Sequence, residues 1–384
     1  MNQTIGDKVD KKLRGVNLGG WLVLEKWMTP SLFKGLQATD ETSYCVELGE
    51  KAAQALKNHW NTFITRDDFA WLAKTGINAV RIPIGHWIFG PDYPYHRAYG
   101  ASAYPFVDGG LAVLDRAFDW AEEFGLCVVL DLHAAPGCQN GFDNGGIQDV
   151  CEWHTKPEYI DYSLLILERL AQRYHNLSAL HAIEVLNEPH QAIDTALLKK
   201  YITDGYHRIR QYCPAQDVIV IFDEGFRSFR EYTGFLTEPE FSNVALDIHR
   251  YQCFGRAEID ANIYDHIRDA VVGWKDEADE MIRDLGHNMY VGEWSLGMDA
   301  RVESFWAKGP FNYAPQDMDA FQTSVAYRAY AAAQLITFEK YLGWFFWSYK
   351  TETMPGWSFR DCVNRGWLPD RFDNCNVDSN PFVN

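Results

Sequence analysis

Eight short apolar runs, each closing on polar residues and most followed by a segment of helical period, constrain this chain more than any other feature. They are Gly15–Leu18, Ala79–Ile82, Cys127–Leu132, Ile183–Leu186, Val218–Phe222, Val244–Ile248, Met289–Val291 and Gly343–Trp347. Rich in Val, Ile and Leu, they suit strands of a parallel sheet buried on both faces. Amphipathic spacing over Leu111–Phe124, Tyr159–Tyr174, Leu197–Tyr212, Ile263–Leu285 and Phe321–Tyr341 supplies the helical crossovers that parallel strands require. Eight such units predict an α/β fold, a closed (β/α)8 TIM barrel with elaborated βα loops, rather than an open sheet. An open dinucleotide-binding sheet needs a Gly-x-Gly-x-x-Gly turn after its first strand. Gly15-Val-Asn-Leu-Gly-Gly20 lacks that spacing and opens no helix.

A chain of 384 residues suits one such barrel with insertions. Residues 1–384 are therefore read as a single catalytic domain, with a polar tail at 1–12. The net charge of −18 disfavours nucleic acid and anionic membrane partners and suits a neutral substrate. No run of 18 apolar residues is present, so no membrane span is expected. The polar start Met1-Asn-Gln-Thr-Ile-Gly-Asp-Lys8 predicts no signal peptide in this chain, which leaves a cytoplasmic or a mature secreted form. Aromatic residues reach 15%, and flat ring faces suit the C–H faces of sugars, although most such rings belong to a core. None of the eight cysteines forms a Cys-x-x-Cys pair, which speaks against a zinc site. Cys127 reads as a buried thiol, and Cys362 with Cys375 as a candidate disulfide.

The runs end on a pattern. Asn17, Arg81, His133, Asn187-Glu188, Asp223-Glu224, His249-Arg250-Tyr251, Glu293 and Trp347 close or lie within successive runs. In a barrel these strand ends converge on one mouth, where such folds keep their chemistry. Cleaving a glycosidic bond needs a proton donor at the leaving oxygen and a second carboxylate at the anomeric carbon. Glu188 and Glu293 are the candidate pair. Asn187 is placed to bond a sugar 2-hydroxyl, and Pro189 fixes the exit of the chain. Arg81 and His249 can hold one carboxylate ionised, with Tyr251 donating to it. Trp347 offers a floor under the ring. Asp223-Glu224 is a rival pair, and Asp131 is expected to meet an inward cation such as Arg81. A metal-dependent hydrolase using His133 and His249, and a non-catalytic carbohydrate-binding barrel, are the readings from other classes.

The chain resembles glycoside hydrolase family 5, within it the exo-1,3-β-glucanase (glucan 1,3-β-glucosidase) branch. The residues that carry this include Arg14-Gly-Val-Asn-Leu-Gly-Gly-Trp-Leu-Val-Leu-Glu25, Gln139-Asn-Gly-Phe-Asp-Asn144, Leu186-Asn-Glu-Pro189, Asp247-Ile-His-Arg-Tyr-Gln-Cys-Phe254 and Gly292-Glu-Trp-Ser295. The resemblance implies a retaining, exo-acting hydrolase of β-1,3-glucan or its oligosaccharides, with Glu188 as acid/base and Glu293 as nucleophile. It implies Arg81, His133, Asn187, His249, Tyr251 and Trp347 around the cleaved sugar. Glu25 and Asn144 would bind the terminal glucose and close a pocket, and Phe142 and Phe254 would clamp the next sugar. No cofactor and no metal are expected, and the expected state is a monomer. Other linkages (β-1,6 or β-1,4), a non-sugar aglycone and transglycosylation stay open. The aromatic loop Asp92–Phe106 and the charged Arg250 beside His249 depart from the family pattern. A retaining pair should place its carboxyl groups roughly 5–5.5 Å apart.

Overall fold

All eight apolar runs form strands in the computed structural model, which describes residues 12–91, 104–255, 258, 261–297 and 320–373. The strands are β1 (Leu13–Asn17), β2 (Ala79–Gly85), β3 (Cys127–Ala134), β4 (Leu180–Glu184), β5 (Ile219–Asp223), β6 (Val244–Arg250), β7 (Asn288–Trp294) and β8 (Gly343–Phe346). They pair in chain order, each parallel to the next, and β8 closes on β1. Helices Gly110–Phe124, Pro157–Tyr174, Thr195–Arg210 and Ala320–Phe338 lie close to the spans expected from periodicity. The expected helix Ile263–Leu285 is instead Ile263–Arg268, a π turn at Asp269–Gly273, and Trp274–Asp284. Of the expected tail only Lys12 is described, and its carbonyl accepts Asn78 Nδ2 at 3.0 Å.

Alternation along each strand sorts residues between two layers. Leu13, Ala79, Cys127, Val129, Ala182, Ile219, Ile221, Ala245, Tyr290 and Phe345, drawn from all eight strands, pack together inside the barrel. Their neighbours Val80, Val128, Leu130, Val220, Leu246 and Val291 face the surrounding helices. Two residues further along the inner faces come Arg81, Asp131 and His133, Glu184, Asp223, and Asp247 and His249. The polar mouth is thus the next layer above an apolar plug.

Strand β7 breaks the alternation next to the mouth. Tyr290 points inward, so regular pleating would turn Glu293 outward. Between β6 and β7 the register shifts: Ile248 faces Val291, but His249 faces Glu293, leaving Gly292 as the extra residue of a bulge. Glu293 thereby turns into the mouth, and Trp294 packs in the outer core. A side chain at position 292 is excluded, because its Cβ would fall 1.8 Å from Asp247 Oδ2. Asp247 Oδ1 accepts the Gly292 amide at 2.5 Å, and Asn17 Nδ2 donates to its carbonyl at 2.8 Å.

The fourth strand differs from expectation. It runs Leu180–Glu184, so Glu188 stands in the loop beyond the strand rather than at its end. Asn187 N still reaches Leu132 O at 3.1 Å, tying this irregular segment to β3. Cys127 is buried as expected; Cys362 is a buried free thiol, and Cys375 lies outside the described residues. No helix among the described residues is long and apolar enough to cross a membrane.

Candidate active site

Arg81 organises the mouth. It is fully buried, and its planar fork reaches Asp131 Oδ2 at 3.0 Å, Glu184 Oε2 at 2.8 Å and Glu293 Oε1 at 3.1 Å. It also donates to Asn17 Oδ1 at 2.9 Å and to Asn187 Oδ1 at 2.8 Å. The expected pairing with Asp131 is present. Glu184 and Asp247 were not singled out from sequence, although strand parity already turns both inward. Removing one partner from such a buried network costs about 3–5 kcal/mol, because the remaining charges lose compensation.

Glu188 and Glu293 meet over this base. An oxygen of each, with a nitrogen of His249, lies within 4.8 Å of the others. His249 Nδ1 is 2.7 Å from Glu188 Oε1 and 3.4 Å from Glu293 Oε2. Glu293 has two further donors, the Tyr251 hydroxyl at 2.8 Å and Arg81. Asn187, with its oxygen bound to Arg81, keeps a buried Nδ2 that has no partner among the described residues. The Trp347 ring lies nearly parallel to His133, with centroids 5.3 Å apart, and a Cβ on Gly19 would strike it at 2.8 Å.

Burial alone would lower His249. The carboxylates around it (Glu293, Asp223, Asp247 and Glu188) outweigh that and hold it well above the usual imidazole range. Burial raises Asp223 to about 7 despite facing that imidazolium. Burial also raises Glu293, and the nearby Glu188 adds to this, against His249 and Arg81. Burial pushes Glu188 the same way, but its hydrogen bond to His249 prevails and holds it below the usual range. The carboxyl pair shares its protons and titrates as a unit. Its electrostatic order runs opposite to the donor geometry, which favours Glu293 as the anion. His249 Nδ1 and Glu188 Oε1, 2.7 Å apart, are within reach of a proton transfer.

Beside the pair, Glu25 accepts Trp27 Nε1 at 2.9 Å and keeps a buried Oε1 without a partner among the described residues. Burial, then Asp143, Glu293 and Glu188, raise it well above the carboxylate range. Asn144 Oδ1 accepts Asn140 Nδ2 at 3.1 Å on the β3 loop, which Gln139 braces by donating to His133 O at 2.7 Å and Asn187 O at 2.9 Å. Phe142 and Phe254 are exposed on the β3 and β6 loops, and Phe254 lies edge-on to Tyr251 at 5.4 Å. A third exposed ring, Phe226, sits 6.4 Å from His249 and was missed, its placement depending on a positive φ of 56° that sequence does not reveal.

The rival Glu224 is engaged elsewhere. Arg250 binds it at 3.0 Å and Glu277 at 3.3 Å, which accounts for the unexpected charge beside His249. Most of Asp92–Phe106 lies outside the described residues, but Phe106 stacks on Trp87 with centroids 4.1 Å apart. Two groups, Glu184 with Asp247 and His249, and Glu188 with His249 and Glu293, have a metal-site spacing. Arg81, at 2.8 Å from Glu184 and 3.1 Å from Glu293, puts a fixed positive charge against a cation in either.

A mouth that presents one carboxyl beside a proton-bearing imidazole and another held by two donors is equipped to cleave glycosidic bonds, which places the protein among the barrel glycoside hydrolases. The family model for cellulase (glycosyl hydrolase family 5) matches residues 42–352, and the chain belongs to that family. It is 36% identical to a glucan 1,3-beta-glucosidase of Blumeria graminis over 96% of this chain and 89% of that protein. It is 37% identical to a probable glucan 1,3-beta-glucosidase A of Emericella nidulans over 94% and 90%. Among solved structures, a rutinosidase from Aspergillus niger shares the fold, with a TM-score of 0.76 at 22% identity over 94% of this chain and 99% of that one.

Proposed function

We propose that this chain is a retaining exo-β-glucosidase that releases glucose from the non-reducing ends of β-1,3-glucan. The approach of one oxygen of Glu188 and one of Glu293 to within 4.8 Å supports the retaining part, since inversion needs carboxyl groups held roughly 6.5–9.5 Å apart to admit a water. The substrate class and the exo action are supported by the relatives named above.

Glu293 attacks the anomeric carbon while Glu188 protonates the leaving oxygen. A covalent glucosyl-enzyme forms and the aglycone departs. Glu188, now a base, takes a proton from water as that water attacks the same carbon, and glucose leaves with its β configuration. His249 passes the first proton to Glu188 and recovers one from it after water is cleaved, and Arg81 with Tyr251 stabilise Glu293 each time it is a carboxylate.

The products from laminarin test the reading. Glucose alone, β-configured at first release by proton NMR, is expected; a ladder of oligomers or initial α-glucose refutes it. Glu293→Ala with azide should yield α-glucosyl azide from an activated β-glucoside, and absence of rescue removes Glu293 from the nucleophile's role.

A further inference from the structure

Glu188 adopts a backbone conformation that glutamate rarely takes. Its φ is +43°, in the left-handed region where Cβ crowds the neighbouring carbonyl. Such a conformation persists only where the surroundings overdetermine it. Here the surroundings are the segment 223–227 that follows β5. Asp223 Oδ2 accepts the Glu188 amide at 3.1 Å. Arg227 takes the carbonyls that come next: Nη1 donates to Pro189 O at 3.1 Å, and Nη2 to His190 O at 2.7 Å and Ile193 O at 2.9 Å. The two loops meet at Gly225, where a Cβ would fall 2.4 Å from Pro189 O and 2.5 Å from Arg227 Nη1.

Arg227 is buried, and its guanidinium hydrogen bonds end on main-chain carbonyls. A buried cation is a poor route to stability compared with an apolar side chain of similar volume. What a guanidinium supplies here is a rigid planar fork that spans several carbonyls at once. Asp223 holds the chain at the amide of Glu188, and Arg227 holds it just beyond. Together with Gln139, which donates to Asn187 O at 2.9 Å and accepts the His190 amide at 3.0 Å, they hold the Cα–Cβ direction from which the carboxyl reaches His249.

We propose that Arg227 is a positioning residue for Glu188, acting through the main chain of Pro189 and His190 together with Asp223. The inference rests on the reading of Glu188 as acid/base. A displacement of about 1 Å at a reacting group costs on the order of 100-fold. The loss should appear only where a proton must be delivered.

Arg227→Ala, Arg227→Lys and Glu188→Ala are compared on phenyl β-glucoside, whose leaving group needs protonation, and on 2,4-dinitrophenyl β-glucoside, whose leaving group does not. For Arg227→Ala, kcat/KM should fall on the order of 100-fold on the phenyl substrate and roughly threefold or less on the dinitrophenyl one. Arg227→Lys, which keeps the charge but reaches fewer carbonyls, should fall between, and carries the test if the alanine variant does not fold. Equal losses on both substrates, or none, overturn the positioning role when Glu188→Ala separates the two substrates. If Glu188→Ala does not separate them, the acid/base reading fails first and takes this inference with it.

Discussion

The Tyr251 hydroxyl donates to Glu293 Oε2 across 2.8 Å. The pair spans two strands, since the tyrosine follows β6 and the glutamate turns inward at the bulge in β7. A hydrogen bond to a charged group contributes about 1.5–3 kcal/mol. Tyr251→Phe keeps the ring and removes the donor, so kcat/KM on laminaribiose should drop about 10- to 100-fold with little change in Tm. A drop under about twofold would mean that this bond is absent when the sugar is bound.

The pH profile follows from the directions of the shifts. In the proposed mechanism Glu293 attacks as a carboxylate, and it is held above its usual 4.5, so activity should be lost as pH falls through a value above 4.5. His249 must carry a proton, and it is held well above 6.5, so the loss on the alkaline side should begin only well above 6.5. His249→Gln removes the cation that lowers Glu293 and should move the acid limb of kcat/KM to higher pH. An unmoved acid limb would disconnect His249 from the carboxyl pair.

Glu41, buried at the start of helix Glu41–Leu48, accepts the amide of Leu24, the residue before Glu25, at 2.9 Å. Burial raises it from 4.5 to about 8. The folded state therefore holds a proton that the unfolded chain gives up above about 4.5, and this contribution to stability declines as pH rises from there to about 8. Glu41→Gln mimics the protonated acid, so its Tm should fall less than that of the parent between pH 6 and pH 9. Parallel Tm curves for the two proteins would count against the shift.

Phe142 and Phe254 are exposed on the β3 and β6 loops, and the proposed reading has them hold the sugar beyond the cleaved bond. A stacked ring contributes about 0.5–1.5 kcal/mol beyond its area. Replacing either with Ala should lower kcat/KM on laminaritriose by roughly 2- to 10-fold and leave 4-nitrophenyl β-glucoside turnover nearly unchanged. Equal losses on the two substrates would place these rings outside any subsite beyond the cleaved bond.

Much of the site was legible because strands have a period of two. Once Arg81, Asp131, His133 and His249 fall on the same parity as the interior plug, a closed barrel sends them all to one mouth. Glu184 and Asp247 obey the same rule and were overlooked because no motif drew attention to them. Phe226 depends on a backbone twist that no residue pattern announces.

The sequence by itself determined the barrel and the candidate carboxylates, since apolar runs and helical spacing are local properties summed along the chain. Only the tertiary structure decided how those carboxylates face each other. Glu293 reaches the mouth because Gly292 bulges against Asp247, and Glu188 reaches it from a left-handed turn gripped by Asp223 and Arg227. Both orientations depend on contacts between segments far apart in sequence, whose register is set only when the barrel closes.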